Sequence, residues 1–577
     1  MKIYIKISLI VAITASLVGC NSFLEPEKEN LRTIDEVLER HSYAEGLLIQ
    51  AYLGLPTNHK SFTDAMACDE AVANDESKDG AVMSSGGWTS SNDPLKAWND
   101  AYNSILYLNM FLDIVNDVEW QRDEEGDSVF TSKLTGEAYA LRAWYYTDLL
   151  KKHGGIGESN SLLGVPIIKE VLTPNSDYQL PRNTYKECID FIIEDCDSAI
   201  AKLPDSWSNE GGGNAFAGPR NVNRINANVA KLIKSRVLLT AASPAFSESG
   251  VTYEEAAKAA NEIVNVKGIP AAANAGEITF YRGYTSDNGE VFWFSALRSL
   301  NNTAGNNENN LAWEKYNYPP SLYGDGLTNP TADLVNKFGL ASGEPLPSNW
   351  YDTATNPYAG RDSRLAAYIV TDGSSMGTRT VNIFTDADNQ VGAKKGSKTS
   401  YYLRKYMDED VDMDPATPEV TAQHYYTYAR YTEVMLNYAE ALNEWQGPTT
   451  APSGFTYSAR DVINAIRLRA GIDNTYVNGI TWTKDSFREF IRDERAKELC
   501  FEGFRFWDLR RWMTLETSPN ESLIDVTVSG IKMNALGELE AIKEVERKSY
   551  PDNYKIYGPI PFDETLKYDI EPNIGWQ

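Results

Sequence analysis

The stretch that decides the fold lies near the end of the chain and reads RDERAKELCFEGFRFWDLRRW, from Arg492 to Trp512. Ser486-Phe-Arg-Glu489, just upstream, matches a capping box, so we expect a helix to begin there. Gly503 is expected to end or bend this helix. Apolar side chains recur at steps of three and four residues, which places them on one helical face: Ala496, Leu499, Cys500, Phe504 and Trp507.

Three glutamates, Glu494, Glu498 and Glu502, form a second stripe at four-residue spacing. Stacked carboxylates repel one another unless cations neutralise them. The functional interpretation of the stripe is an acid/base or metal cluster. Arginines outnumber these acids and no histidine is nearby, so we favour an ion-pair lattice that locks helices together. The same stretch supplies five arginines for that purpose: Arg492, Arg495, Arg505, Arg510 and Arg511.

Four motifs, in order along the chain, resemble the SusD/RagB family of surface nutrient-binding lipoproteins. One is the stretch 492–512 quoted above. The others are Arg430-Tyr-Thr-Glu433 through Leu436-Asn-Tyr-Ala-Glu-Ala441, Ile463-Asn-Ala-Ile-Arg-Leu-Arg-Ala-Gly471, and Gly558-Pro-Ile-Pro561. The family's usual Arg-Asp-Pro-Arg stands here as Arg361-Asp-Ser-Arg364, a departure that affects a local turn.

The resemblance implies a mainly α fold of tetratricopeptide-like helix pairs, the SusD-like fold, with an irregular ligand-binding region rich in loops and short strands. The residues alone indicate the same division, because helical stripes give way to Asn-, Gly- and Pro-rich loops. We therefore expect five segments: a lipoprotein signal peptide at 1–19, a lipid tether and N-terminal arm at 20–45, a helical region at 46–267, the irregular region at 268–423 and a C-terminal helical region at 424–577.

The N-terminus resembles a bacterial lipoprotein leader. A short basic segment precedes an apolar run from Ile7 to Val18, which is too short for the roughly 20 residues that span a bilayer. The run ends in Leu17-Val-Gly-Cys20, which resembles the lipobox. We expect cleavage before Cys20 and acylation of its thiol, which would anchor the protein in the outer membrane.

Composition excludes several classes of partner. The formal charge of -27 argues against nucleic acid and against polybasic contact with anionic lipid. Only four histidines occur, and there is neither an HExxH motif nor a CxxC pair, so we expect no metal site and no cofactor. The cysteines beyond the leader are interpreted as buried thiols: Cys68, Cys188, Cys196 and Cys500.

Two motifs occur without the context that their chemistry requires. Residues 373–377 match the GxSxG nucleophile elbow, but a β-branched, alternating stretch follows where the elbow needs a helix. We predict a hairpin there instead. Acidic residues at 408, 410, 412 and 419 have EF-hand-like spacing, but Met413 takes the place of the required glycine. That defect favours a solvated acidic loop.

The resemblance implies a non-catalytic binder that caps a SusC-like TonB-dependent transporter and delivers nutrient, usually a glycan, to it. Aromatic rings stack on the apolar faces of sugars, while flanking polar groups bond the hydroxyls. For each ring, packing in the core is the alternative role. The candidate ligand contacts are the loop aromatics and the acidic pair preceding the first of them: Trp88, Trp293, Trp313, Tyr316, Tyr318, Tyr323, Asp69 and Glu70.

Three other functions remain open at this point. RagB-like capture of a peptide is a variant of the same function. A surface glycoside hydrolase would turn over oligosaccharide and lose that activity with one carboxylate. A tetratricopeptide scaffold would bind a protein but no small ligand.

Replacing Cys20 by alanine is expected to abolish membrane anchoring while leaving the fold intact, because acyl chains rather than an apolar helix hold the protein. Detergent-free fractionation of cells measures this directly. Variant protein that still sediments with the membranes would contradict the assignment of the lipid anchor.

Overall fold

The computed structural model describes residues 38–59, 61–95, 97–207, 221–282, 289–295, 308–347, 350 and 356–576. The predicted signal peptide, Cys20 and most of the predicted arm lie outside these residues. In the part that is described, no helix combines the length and the apolar character needed to cross a bilayer.

Helices dominate the N-terminal part of the described chain. They are α1 (His41–Leu53), α2 (Thr63–Met66), α3 (Asp79–Val82), α4 (Ala97–Ile114), α5 (Glu124–His153), α6 (Tyr185–Ile200), α7 (Ala227–Ala242) and α8 (Tyr253–Lys267). The long helices pack in succession, α1 on α4 and then each on the next through α8. Thr184 and Thr252 begin α6 and α8 with capping boxes, which satisfy backbone N–H groups that a helix leaves free. This array confirms the predicted mainly α, helix-pair fold.

The middle of the chain is built from short elements, as predicted. Its helices are α9 (Ala275–Ile278), α10 (Glu308–Asn317), α11 (Ala332–Lys337) and α12 (Ser363–Tyr368). The strands, including three from earlier in the chain, are β1 (Ala71–Ala73), β2 (Gly155–Ile156), β3 (Leu162–Leu163), β4 (Val291–Phe294), β5 (Thr328–Pro330), β6 (Ile369–Val370), β7 (Ser374–Met376), β8 (Arg379–Val381), β9 (Tyr402–Leu403) and β10 (Thr427–Arg430). They form antiparallel pairs, namely β1 with β5, β2 with β3, β4 with β10, β6 with β9 and β7 with β8.

The C-terminal region returns to helices and extends the N-terminal array. The helices are α13 (Tyr431–Gln446), α14 (Ala459–Arg469), α15 (Thr475–Gly479), α16 (Lys484–Glu498), α17 (Arg505–Arg511) and α18 (Phe562–Lys567). α13 packs on α8, and both α14 and α16 pack on α13. A hairpin that the sequence pattern did not predict is formed by β11 (Val526–Met533) and β12 (Leu539–Lys548). A register shift between Val528 and Gly530 interrupts the alternation that would have indicated it.

Buried apolar side chains form two clusters. One joins the N-terminal helices to the C-terminal region and contains Trp88 and Trp293. The other fills the irregular region and contains Trp313 and Tyr318. The irregular region therefore has a core of its own, and many of its rings are needed to build that core.

The stretch 492–512 contributes to two helices that meet at a sharp turn. The cap of α16 is Thr483, whose backbone is extended and whose hydroxyl accepts from the Ser486 N–H at 3.1 Å. The predicted capping box at 486–489 is therefore wrong, because Ser486 already lies in the first turn. Phe501 and Gly503 have φ angles of 63° and 78° between α16 and α17. The left-handed backbone at Gly503, which glycine adopts without strain, confirms the predicted break.

The glutamate stripe lies in a buried ion-pair lattice, as predicted, but the arginines that neutralise it come from distant segments. Glu498 is 0% exposed, and its carboxylate accepts from Arg469 at 2.6 Å, Arg364 at 2.9 Å and Arg430 at 3.2 Å. Burial alone would raise the pKa of Glu498, but these guanidinium groups hold it well below its ordinary value. Arg364 also bonds the neighbouring Glu494 at 2.7 Å, so one arginine serves two acids of the stripe.

The prediction that the arginines of 492–512 neutralise the stripe is wrong. Arg495 bonds Asp508 at 2.6 Å, and Arg511 forks onto the carboxylate of Glu440. Arg505, Arg510 and Arg511 lie beyond the break at Gly503, on α17, while Arg492 and Arg495 lie on other faces of α16. Helical spacing therefore identified the buried acids but not their partners.

We expect Glu498→Gln to lower the free energy of unfolding by about 3–5 kcal/mol, because it leaves buried guanidinium charge uncompensated. Since the folded-state pKa of Glu498 is depressed, its contribution is full above the ordinary value of 4.5 and is lost as the pH falls toward the folded-state value. The variant should therefore be less sensitive to acid than the wild type. Denaturant unfolding of the wild type and the variant across this pH range measures both the loss of stability and its dependence on pH.

Glu489→Gln is the matched control, because the Glu489 side chain is 67% exposed in its pair with Arg492. It should change stability by less than about 1 kcal/mol. Equal effects of the two substitutions would contradict the assignment of Glu498 as the buried centre of the lattice.

Candidate ligand-binding surface

Trp313 is a core residue of the irregular region. It is 2% exposed, stacks on His424 with ring centroids 4.2 Å apart, and meets His59 edge-on at 5.0 Å. His59 in turn stacks on Tyr406 and Tyr426, and burial lowers the pKa of His59 to about 3. The expectation that Trp313 presents an open face to a ligand is therefore wrong, because neighbouring rings occupy its surroundings.

Three further predicted contacts, Trp88, Trp293 and Tyr318, are also buried. Trp88 is 1% exposed and its Nε1 donates to the carboxylate of Asp93 at 3.1 Å. Trp293 is 0% exposed and donates to a backbone carbonyl at 2.9 Å. Tyr318 is 0% exposed, and its hydroxyl donates to the backbone carbonyl of Asp408. With their polar atoms bonded and no face open, these rings pack the protein's own core.

Asp69 and Glu70, the predicted hydroxyl acceptors, support the turn between α16 and α17. The Asp69 carboxylate accepts from Arg505 at 2.9 and 2.7 Å. Burial alone would raise the pKa of Asp69, but Arg505 holds it below its ordinary value. Glu70 is 2% exposed and accepts from the Phe501 N–H at 3.2 Å, and burial raises its pKa to about 8. Neither carboxylate is presented to solvent as a free acceptor.

Tyr316 and Tyr323 are the predicted rings that the structure leaves exposed. Their exposed fractions are 36% and 44%. On α10, Trp313 and Asn317 lie toward the core, so the helical spacing puts Tyr316 at the outer edge of the buried face. Tyr323 ends a single 3₁₀ turn at 320–322 with a left-handed φ of 67°. One short segment therefore supplies both the core rings and the surface rings.

Two open grooves adjoin these rings. Tyr316, Asn74 and Asp325 line one, which has a volume of about 600 Å³. Tyr323 lines the other, which has a volume of about 550 Å³. Lys394 and Lys395 line both grooves. We call this region the tyrosine surface and define it by six residues: Asn74, Tyr316, Tyr323, Asp325, Lys394 and Lys395.

Contacts among its polar groups hold the tyrosine surface in shape. Lys395 forms an ion pair with the Asp325 carboxylate. The side-chain amide of Asn74 donates to the backbone carbonyl of Asp325 at 2.6 Å and to that of Lys395 at 3.2 Å. A hydrogen bond with the Asp414 carboxylate raises the pKa of the Tyr323 hydroxyl. The surface thus combines aromatic faces with hydrogen-bonding groups whose positions are set by the fold.

The polar residues of the tyrosine surface could not be predicted from local sequence patterns. Asn74 lies 251 residues from Asp325 and 321 from Lys395 along the chain, so no local pattern joins them. The one available signal was the lysine-rich turn Ala393-Lys-Lys-Gly-Ser-Lys398, whose composition is typical of an exposed loop.

The two motifs that lacked their expected context are turns and loops in the structure. Residues 373–377 contain β7, which pairs with β8 through Ser374 opposite Val381, so the predicted hairpin is confirmed. In the acidic loop, the Asp412 carboxylate accepts from the Asp414 N–H at 3.1 Å and pairs with Arg379 at 3.2 Å. Across the described residues, no group of three or more His, Cys, Asp or Glu side chains is placed to hold a metal ion.

Trp313→Ala is expected to cost about 3–5 kcal/mol of stability, because it empties a site in the core. Tyr316→Ala, three residues along the same helix, should leave the melting temperature nearly unchanged because its ring is partly exposed. Thermal melts of the two variants distinguish a core position from a surface position. An unchanged melting temperature for Trp313→Ala would contradict its placement in the core.

Two sequence-family models and two curated proteins match this chain. The model described as the SusD family matches residues 289–576, and the model described as starch-binding, associating with outer membrane, matches residues 23–211. SusD-like protein P38 of Formosa agariphila is 22% identical over 448 residues, which cover 72% of this chain and 71% of that protein. SusD-like protein P25 of the same organism is 28% identical over 201 residues, covering 34% and 33% respectively.

Solved structures share the fold over nearly the whole chain. A SusD-like protein from Bacteroides fragilis superposes with a TM-score of 0.74 at 24% identity, covering 94% of this chain and 98% of that chain. A SusD-like carbohydrate-binding protein from the same species has a TM-score of 0.69 at 21% identity, covering 92% and 98%. These matches, together with the ordered motifs and the helix array, show that this chain belongs to the SusD/RagB family.

Proposed function

We propose that this protein captures oligosaccharide at the cell surface through the tyrosine surface, leaves it chemically unchanged, and passes it to a SusC-like TonB-dependent transporter in the outer membrane. The observation that carries the proposal is that two exposed tyrosines adjoin grooves lined by charged and amide groups. Family membership supports it, because one structural relative is described as carbohydrate-binding and one matching family as starch-binding and associated with the outer membrane.

The chemistry of the tyrosine surface suits a sugar chain. The C–H faces of a pyranose pack against Tyr316 or Tyr323, and the hydroxyls meet an acceptor at Asp325 and donors at Lys394 and Lys395. Both grooves are open along the surface, so a chain longer than one sugar can extend past either ring. Recognition by two separate rings favours an oligomer over a monosaccharide.

Capture without catalysis fits the state of Asp325, the acidic member of the tyrosine surface; Asp75, Glu76 and Asp388 also line the two grooves. Glycoside hydrolysis needs two carboxyl groups across the scissile bond, one of which donates a proton. Asp325 is ion-paired with Lys395, an arrangement that suits a fixed hydrogen-bond acceptor. A hydrolase, the alternative function, would be recognised by the appearance of shorter sugars on incubation.

Anchoring and delivery complete the proposal. Cys20 carries the acyl chains and the segment between Cys20 and α1 joins them to the helical array, so the protein stays at the membrane while its grooves remain in water. Peptide capture is the second candidate, because Asp325 and the lysine pair offer opposite charges that a peptide could also bond. Binding measurements with a panel of oligosaccharides and peptides distinguish the two candidates.

In isothermal titration with neutral oligosaccharides and with peptides, we expect the wild type to bind an oligosaccharide. Tyr316→Ala and Tyr323→Ala should each weaken that binding by about 1–3 kcal/mol, the scale of an aromatic anchor. Tyr107→Ala is the control, because Tyr107 on α4 is 37% exposed and lies outside both grooves. Its affinity should equal that of the wild type.

Two results would contradict the proposal. If peptides bind and oligosaccharides do not, the ligand class is wrong. If all three tyrosine variants bind oligosaccharide like the wild type, the glycan site lies elsewhere on the protein.

A further inference from the structure

A separate cavity lies inside the molecule where α5, α7 and the segment around α17 meet β10. Its volume is about 520 Å³. Among the described residues, none that lines this cavity also lines the grooves of the tyrosine surface. Small-molecule sites commonly enclose roughly 300–1,000 Å³, so this cavity has the size of a ligand site.

Two buried donors in the wall of this cavity lack acceptors. Trp507 is 8% exposed and Arg510 is 1% exposed, and neither Trp507 Nε1 nor Arg510 Nη2 has a hydrogen-bond partner within the described part of the chain. The other bonds of Arg510 go to the backbone carbonyls of Lys555 at 3.1 Å and Phe506 at 3.0 Å. Buried polar groups are normally bonded, so an acceptor from outside the protein fits here.

Lys151, Lys152 and Arg510 line the cavity together with three acids, Asp64, Asp100 and Asp148. Lys151 and Lys152 share a single carboxylate, that of Asp148, at 3.2 and 2.8 Å. Arg510 has no carboxylate within salt-bridge distance among the residues described; burial lowers its pKa to about 10, while interactions with Tyr550, Cys68 and Asp64 oppose that shift. Burial raises the pKa of Asp64, which weakens that opposition. The unpartnered donors of Trp507 and Arg510, beside the lysine pair, therefore favour a ligand that brings an anionic acceptor.

Another part of the wall is aromatic, with its charges paired. The Arg236 guanidinium lies 5.1 Å from the Trp144 ring and 5.6 Å from the Phe504 ring, and it forks onto Glu433 at 2.6 and 2.7 Å. Because that ion pair is complete, this part of the cavity offers a ligand mainly apolar surface.

We propose that the cavity binds one small carboxylate-bearing molecule. Its carboxylate accepts from Trp507 and Arg510, with Lys151 and Lys152 supplying further positive charge, and its remaining atoms pack against Trp144. Two sources carry this chemistry, a uronic acid released from an acidic glycan and an N-acylated amino acid. The proposal concerns a site distinct from the tyrosine surface and does not rest on the function proposed for that surface.

Titration calorimetry on the full chain tests the proposal with glucuronate, N-acetylalanine and glucose. We expect at least one of the two carboxylates to bind, and glucose to bind at least tenfold more weakly. The carboxylate that binds more tightly identifies the source. Trp507→Phe keeps an aromatic ring but removes the donor, and it should weaken carboxylate binding at least tenfold.

Lys152→Gln is a second cavity variant, and it too should weaken carboxylate binding at least tenfold. It tests the proposal if Trp507→Phe does not fold. Lys186→Gln is the control, because Lys186 forms an exposed ion pair on α6 and should bind like the wild type. The proposal is overturned if neither carboxylate binds, if glucose binds equally well, or if the folded cavity variants keep full affinity. Loss of carboxylate binding in Tyr316→Ala, with full affinity in Lys152→Gln, would place the ligand at the tyrosine surface and also overturn it.

Discussion

The structure depends on neutralising one buried carboxylate, that of Glu498. Its three guanidinium partners come from α12, the end of β10 and the end of α14, so α16 can be buried only if these segments converge on it. An unpaired charge in a dry interior costs several kcal/mol, which makes partial assembly unfavourable. The lattice thereby joins the irregular region to the helical array, and this explains why a charged string near the C-terminus is the most recognisable stretch of the chain.

The same lattice explains the placement of many aromatic rings. Arg430 lies 4.7 Å from the ring of Phe280, and Lys405 lies 4.2 Å from the ring of Tyr368, so rings cover the cations where carboxylates do not. Aromatic residues amount to 11% of the chain, and in this region they cover buried charges and fill the core. Rings available to a ligand are therefore to be sought at the edge of the second core, where Tyr316 and Tyr323 lie.

The two candidate sites differ in how their charges are satisfied. At the tyrosine surface, the ion pair of Lys395 with Asp325 is exposed to screening by solvent, which suits a neutral chain that contacts these groups through hydroxyls. In the internal cavity, buried donors are left without acceptors, and a ligand that fails to supply one gains little there. The first arrangement suits ligands that vary in their hydroxyls, whereas the second suits a ligand that supplies an acceptor.

The sequence by itself determined the helix array, the break at Gly503, the burial of the glutamate stripe, the hairpin at 373–381 and the family. All of these follow from local spacing or from ordered motifs. Only the tertiary structure decided which arginines meet Glu498, because Arg364 and Arg430 lie 134 and 68 residues away. It also decided that Trp313 is buried while Tyr316 is exposed. Periodicity identifies the faces of a helix, but it does not say which other segments pack on each face. Those segments are remote in the chain, and they decide whether a ring is buried or exposed to solvent.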